Sequence, residues 1–434
     1  MIRRTTLPET AYVLLWFPKP SETFIFTEVM QLTDMGLPVK TFTLYGQWDR
    51  HLSSRMRIFA EEPERLGIAY LRQIPKEILF WWRRDRGTVI RVTNATFKRS
   101  WYGAEKTAEN LWAYFCGFRL ARLFTQMGIE HIHAPWAGGP ATAAWIASHL
   151  TGIPFSFSAR AWDIYPPDGL LVDKIRDSAF VRAETGYNVE YLASCAEAHR
   201  DKIHLTYNGA PLKARRPALV SMRPPYQLLA VGRFVGKKGF TYLLKACREL
   251  KDAGLPFHLT LAGDGPEKYR LRLKTSMLGL DQHISFPGFV PYDRVPHLFE
   301  SADVFVMPSI IHSSGDRDGI PHVIMEALLH RVPVVATEVS GIPEVIEHGV
   351  TGILVPQRNP SALARSIGGL IRNRQYALAL AENGRQRVLE MFDPVRNYRS
   401  VLALYEQHIP RKRSRIGHWT GRQSIGAFSR HRKP

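Results

Sequence analysis

The sequence predicts an α/β protein made of two Rossmann-like parallel-sheet domains that face each other across a cleft. Three observations carry this expectation. Short apolar runs alternate with helical stretches along most of the chain, the pattern of parallel sheets covered on both faces. The alternation falls into two blocks, separated by a proline-bearing stretch at 213–225. With 434 residues, the chain is also too long for one ordinary core.

In the first block, residues 12–17 and 39–44 read as strands, with a helix between them that Ser21 can cap and Gly36 can stop. Residues 46–105 read as a less regular stretch rich in Arg and Trp. A helix over 107–127, a strand at 131–134, a helix through 149 and a strand at 154–158 follow. The second block repeats more cleanly, with strands at 227–231, 257–262, 283–286, 304–307, 332–336 and 351–355. Helices are expected between them at 242–253, 266–278, 295–300 and 321–330, with a helical turn at 343–347. Each strand end then projects a loop onto one rim of its sheet, where ligands bind in open α/β folds.

Composition narrows the function classes. Hydrophobic residues at 45% and charged residues at 22% are globular values and exclude a disordered chain. No apolar run approaches the ~18 residues of a spanning helix. The N-terminal apolar run lacks a small-residue cleavage site and reads as a strand rather than a signal peptide. Cys116, Cys195 and Cys247 lie far apart with no metal-ligand spacing, which fits a reducing cytosol and argues against a disulfide framework or a zinc site.

The formal charge is +19, of which eight Lys or Arg lie in residues 411–434 without a single acid. A phosphorylated ligand, an anionic membrane or nucleic acid can each account for such an excess. The tail contains no recognised nucleic-acid module, so no nucleic-acid partner is expected, and attachment of the tail to an anionic membrane surface is the reading favoured for it. Residues 81–86 (WWRRDR) and 98–102 (KRSWY) mix aromatic and cationic side chains. Either a membrane interface or a solvated helix anchored by aromatics fits them.

The densest motif runs Gly315-Asp316-Arg317-Asp318-Gly319-Ile320-Pro321-His322-Val323-Ile324-Met325-Glu326-Ala327. A polar loop opens directly into a helix, with Pro321 suited to its first position. The N–H groups of Gly319, Ile320 and His322 point out of the helix start and, with its dipole, form an anion site. Asp318 can accept hydrogen bonds from sugar hydroxyls, and Glu326 from a ribose diol. After the first strand of this block come Gly232, Arg233 and Lys238. Here a small residue lets backbone approach a phosphate, and a guanidinium and an ammonium can neutralise a diphosphate. Gly263-Asp264-Gly265 ends the next strand, and Phe286-Pro287-Gly288-Phe289-Val290 the one after, where backbone near Val290 can read a base edge.

These strand ends, together with Ser340-Gly341-Ile342-Pro343-Glu344, resemble in order and number the C-terminal domain of family 4 retaining glycosyltransferases, which have the GT-B fold. The stretches at 17–24, 131–137 and 155–164 are similar to those of bacterial exopolysaccharide enzymes of the colanic-acid type. Asp318 stands where the family has Glu. Arg160 and Pro135 stand where it often has histidines.

The resemblance implies an acceptor-side domain at 1–212, a linker at 213–225 and a nucleotide-sugar domain at 226–390. A terminal helix at 391–409 would return to the first domain, and a basic, disordered tail fills 410–434. It also implies that Arg233, Lys238 and Asp318 are catalytic and that Gly232, Gly263, Asp264, Val290, Gly319, Ile320, Pro321 and Glu326 bind the donor. Ser21, Glu22, His133 and Arg160 fall on the acceptor side. The reaction implied moves a hexose from a nucleotide diphosphate sugar to a glycan or lipid-linked saccharide. Configuration is retained by front-face attack, without a protein nucleophile. No metal or other cofactor is expected, because the basic pair supplies the charge that a DxD-bound metal would. The location implied is cytoplasmic, peripheral at the inner face of the plasma membrane. The rival readings are a GT-B nucleotide-sugar epimerase and a non-catalytic nucleotide-sugar-binding protein.

Overall fold

The computed structural model describes residues 7–47, 52–98, 103–165, 168–209, 222–291 and 294–409. The expected tail, most of the expected linker and residues 99–102 of the second basic aromatic segment lie outside these residues.

The first sheet holds β1 (Thr10–Leu14), β2 (Val39–Thr43), β3 (Glu64–Arg65), β4 (His131–Ala134), β5 (Phe155–Ala159), β6 (Val181–Ala183) and β7 (Ile203–Leu205). Their order is β3-β2-β1-β4-β5-β6-β7, and every pairing is parallel. The second sheet holds β8 (Tyr226–Val231), β9 (Phe257–Ala262), β10 (Ile284–Gly288), β11 (Val304–Met307), β12 (Val334–Thr337) and β13 (Ile353–Val355). Its order is β10-β9-β8-β11-β12-β13, again all parallel. Strands β1, β4, β5, β11 and β12 are buried along their whole length, as sheets covered on both faces require.

Two expectations are corrected. Of the stretch 46–105 read as irregular, the described residues 52–98 are largely helical: helices span Ser54–Ile58, Ile74–Arg84 and Arg86–Phe97. Their apolar periodicity is masked because the inward face of the last is Thr88, Val89, Val92 and Thr96, half of it threonine. Asp85 caps that helix by accepting the Thr88 N–H at 2.9 Å. Ser21 does not cap the first helix, which spans Thr23–Asp34 and has no side-chain cap.

The helix Pro394–His408 packs against the first domain. Tyr398, Val401, Leu404 and Tyr405 join Tyr12, Leu14, Ile25 and Val29 in one apolar cluster. Beside this cluster lies a set of buried charges. Glu28 binds the guanidinium of Arg182 and, at 3.1 Å, that of Arg160. Arg160 also binds Glu184, and Arg182 donates to Thr206 at 2.6 Å and Asn208 at 2.7 Å. Burial opposes the charge on Glu28, but Arg182 and Arg160 outweigh it and bring its pKa down to about 2.

Removing one member of such a set leaves an uncompensated buried charge. Arg182→Met is therefore expected to lower unfolding free energy by about 3–5 kcal/mol, read as a shift in urea midpoint. An unchanged midpoint would contradict the account of this cluster.

Candidate active site

Parallel pairing brings the ends of β8, β9, β10 and β11 to one rim. Backbone bonds stitch them together: Gly232 N–H to Ala262 O at 3.0 Å, Gly263 N–H to Gly288 O at 2.9 Å, and Phe234 N–H to Asp264 O at 2.9 Å. Gly263 sits at φ +146°, and a Cβ there would lie 1.9 Å from the Gly232 carbonyl oxygen, so the crossing admits only glycine. Gly239, at φ +63°, lets the chain pass the Pro308 carbonyl, which a Cβ would meet at 2.0 Å. That close approach delivers Lys238 to the loop after β11.

There the Lys238 ammonium donates to Asp318 at 2.9 Å, and the Ser309 hydroxyl donates to the same oxygen at 2.7 Å. Lys237, which the motif analysis did not single out, is buried and binds Asp316 at 2.9 Å, with Asp318 at 3.9 Å. Both aspartates of the Asp-Arg-Asp sequence are thus held by lysines. Burial works to raise the pKa of Asp318, but Lys238 and Lys237 overcome it and hold the group below its ordinary value. Burial lowers that of Lys238, and Asp318 opposes the shift.

The helix after this loop spans His322–Leu329, so Pro321 is its N-cap rather than its first residue. The N–H groups of Gly319, Ile320, His322 and Val323 have no acceptor among the described residues. Glu326 lies a turn further on, half-buried, with no hydrogen-bond partner for its carboxylate among the described residues. Burial alone raises its pKa to about 7. Arg233 is exposed and reaches into the interdomain cleft. Asp264 spends its oxygens on the Gly265 N–H at 2.7 Å and on Lys268 at 2.9 Å, while Val290 is partly buried against the core.

The cleft has a volume of 780 Å³. Arg233, Val235, Pro266 and Asp316 line it from the second domain; Trp16, Tyr45, Trp136 and Trp162 face them from the first. Ser21 and Glu22 are on this wall too, with Glu22 bound to Lys19 at 2.8 Å. His133 and Arg160 do not line this cleft, but Arg160 lines a smaller pocket between the domains with Gly319, Ile320 and His322. His133 is in the sheet, bonded to Ser156 at 2.8 Å and Ser158 at 3.2 Å, and burial lowers its pKa to about 3. Arg160 is 4% exposed and commits its donors to Glu28, Glu184 and the Pro135 carbonyl. What Arg160 offers instead is a face: its guanidinium lies 4.7 Å over the Phe24 ring. Phe24 in turn stacks on His322 of the second domain at 5.3 Å.

A second cross-domain contact holds the domains together. Glu344 accepts the Gly186 N–H at 2.9 Å, the Tyr187 N–H at 3.0 Å and the Tyr207 hydroxyl at 2.8 Å. It therefore caps the helix Gly186–Cys195 of the opposite domain. Its place in the Ser340–Glu344 motif was visible in the sequence; its partners were not. Arg317 adds a bond to Tyr187 at 2.9 Å and lies 4.3 Å over Tyr165.

Two parallel-sheet domains with ligand rims facing across such a cleft define the GT-B class. Solved structures agree on the fold. The UDP complex of Anabaena Alr3699/HepE aligns over 92% of this chain and 100% of its own, with TM-score 0.67 and 16% identity. Sucrose-phosphate synthase from Thermosynechococcus elongatus aligns over 92% and 98%, with TM-score 0.69 and 18% identity. Residues 214–387 match the family described as glycosyl transferases group 1; the chain carries a domain of that family and is a glycosyltransferase. It is 29% identical over 408 residues to the putative colanic acid biosynthesis glycosyltransferase WcaL of Escherichia coli K12, covering 89% of this chain and 96% of the relative. It is 32% identical over 208 residues to the amylovoran biosynthesis glycosyltransferase AmsK of Erwinia amylovora, about half of each chain.

The raised pKa of Glu326 links the site to stability. The folded state holds this proton more tightly than the unfolded chain, so the contribution is full below the ordinary glutamate range and is lost as pH rises through about 7. Glu326→Gln is therefore expected to match the wild type near pH 4. At pH 8 it should be more stable, by about 3 kcal/mol, in thermal unfolding at the two pH values. A pH-independent difference would contradict this.

Proposed function

We propose that this glycosyltransferase moves a hexose, with retention of configuration, from a nucleotide diphosphate sugar to a glycan acceptor in exopolysaccharide synthesis. The acceptor is lipid-linked, and the enzyme works at the inner face of the plasma membrane. The carrying observation is the set around the His322 helix: Lys238 paired to Asp318, open N–H groups at the helix start, an unpartnered Glu326, and Arg233 free in the cleft. In this reading the diphosphate takes Arg233, Lys238 and the helix start, which stabilise charge growing on the leaving group. Asp318 accepts from the sugar hydroxyls, Glu326 from the ribose, and backbone near Val290 meets the base. The positive charge comes from the protein, so the reaction as proposed calls for no metal. WcaL and AmsK, whose names place them in colanic acid and amylovoran synthesis, support the exopolysaccharide role. The aromatic wall of Trp16, Tyr45, Trp136 and Trp162 suits the apolar faces of an acceptor saccharide.

A thermal-shift and hydrolysis screen over UDP-, GDP- and ADP-sugars tests the reading. One donor class should stabilise the protein, and Lys238→Ala should reduce turnover of that donor by about 10²–10³-fold. Near-wild-type turnover in Lys238→Ala would overturn the assignment.

A further inference from the structure

The helices Ile74–Arg84 and Arg86–Phe97, with the 3₁₀ turn Ile68–Gln73 before them, present a surface that the transfer reaction does not use. Their inward faces are fully committed. Trp81 is buried and donates its indole N–H to the Phe118 carbonyl at 2.9 Å, and Glu77 is buried against Arg119 and Arg122. Their outward faces carry Ile68, Leu71, Leu79, Trp82, Ile90 and Phe97, all exposed; Ile68 is 79% and Phe97 54% accessible. Large apolar side chains left so open within some thirty residues are far more than a solvated hairpin needs.

The charges around them have one sign. Residues 68–98 contain seven Lys or Arg and two acids. One of those acids is the buried Glu77, and the other, Asp85, accepts the Thr88 N–H. Lys76, Arg83, Arg84, Arg86 and Arg91 are exposed among the apolar residues, and Arg86 lies 6.0 Å over the Trp82 ring. Apolar side chains with tryptophan, bordered by cations and nearly free of acid, complement an anionic bilayer: the rings enter the headgroup region and the cations meet the phosphates.

Beneath this surface a chain of packed rings leads to the cleft wall, starting from a buried tyrosine. Tyr70, in the 3₁₀ turn, packs edge-on against Trp112 at 6.2 Å, and Trp112 stacks with Tyr45 at 6.3 Å. Tyr45 stacks on Trp16 at 4.5 Å, and both line the cleft wall.

We propose that the outer face of residues 68–97 docks on an anionic lipid bilayer and sets the aromatic wall of the cleft beside the membrane surface. The inference names the membrane-binding surface of the enzyme proposed above and rests on that reading for its purpose. Its test uses neither donor nor acceptor, so either can fail without the other.

Full-length protein is co-sedimented with vesicles of phosphatidylglycerol and phosphatidylcholine, and with vesicles of phosphatidylcholine alone. Binding should require the anionic lipid. Two variants bear on the surface: Leu79→Glu/Trp82→Glu/Ile90→Glu, and Lys76→Gln/Arg83→Gln/Arg84→Gln. Each should weaken vesicle binding by about tenfold or more, while the melting temperature and donor hydrolysis stay at wild-type values. A third variant, with Arg411, Lys412, Arg413 and Arg415 changed to Gln, should keep most of the binding. Wild-type affinity in both surface variants, loss of binding in the tail variant alone, or no binding by the wild-type protein would each overturn the proposal.

Discussion

One carboxylate fixes how the halves of this enzyme face each other. Glu344 gives its two oxygens to the first N–H groups of a helix in the opposite domain and to the hydroxyl of Tyr207. The arrangement matches charge to dipole and gives partners to two N–H groups of the helix start. Gly341 leaves no room for a side chain there, since a Cβ would stand 2.7 Å from Thr185. The stack of Arg160, Phe24 and His322 and the bond from Arg317 to Tyr187 cross between the same two domains.

The two domains handle buried charge differently. In the first, Glu28, Arg160, Arg182 and Glu184 answer one another, and hydroxyl and amide groups take up the remaining guanidinium donors. That set is closed and serves the fold. In the second, Lys237, Lys238, Asp316 and Asp318 are also paired, but next to them stand Glu326 without a hydrogen-bond partner and Arg233 open to the cleft. Groups left short of partners beside a cleft are the ones a ligand can complete.

Local patterns were the part of this structure that the sequence made plain. Val304–Met307 and Phe257–Ala262 are strands with the bounds read from their apolar runs. The strand-end glycines mark the rim because only they fit the crossings. The site was legible where its members are near in sequence or share a loop. It was not legible where a partner comes from far away. Arg160 looks like a cleft residue in sequence, yet Glu28, 132 residues earlier, draws its guanidinium inward. His133 is taken up by hydroxyls on the neighbouring strand, and Lys237 looked interchangeable with Lys238 until Asp316 distinguished them. The helices of residues 54–97 are not legible because threonine fills half the inward face of the last one and a buried glutamate interrupts that of the one before.

The pairing of Lys238 with Asp318 makes the site a lock with both halves engaged. A ligand that draws the ammonium away leaves the carboxylate with the Ser309 hydroxyl and the more distant Lys237, a loss that a further donor on the same ligand offsets. A nucleotide sugar carries both: oxygens for the one and hydroxyls for the other. A nucleoside diphosphate has lost the sugar hydroxyls and keeps only those of its ribose. On the donor reading proposed above, the site would tell a nucleotide sugar from its spent form by whether both partners of the ion pair find new company, with no need for a contact that reads the bond between them.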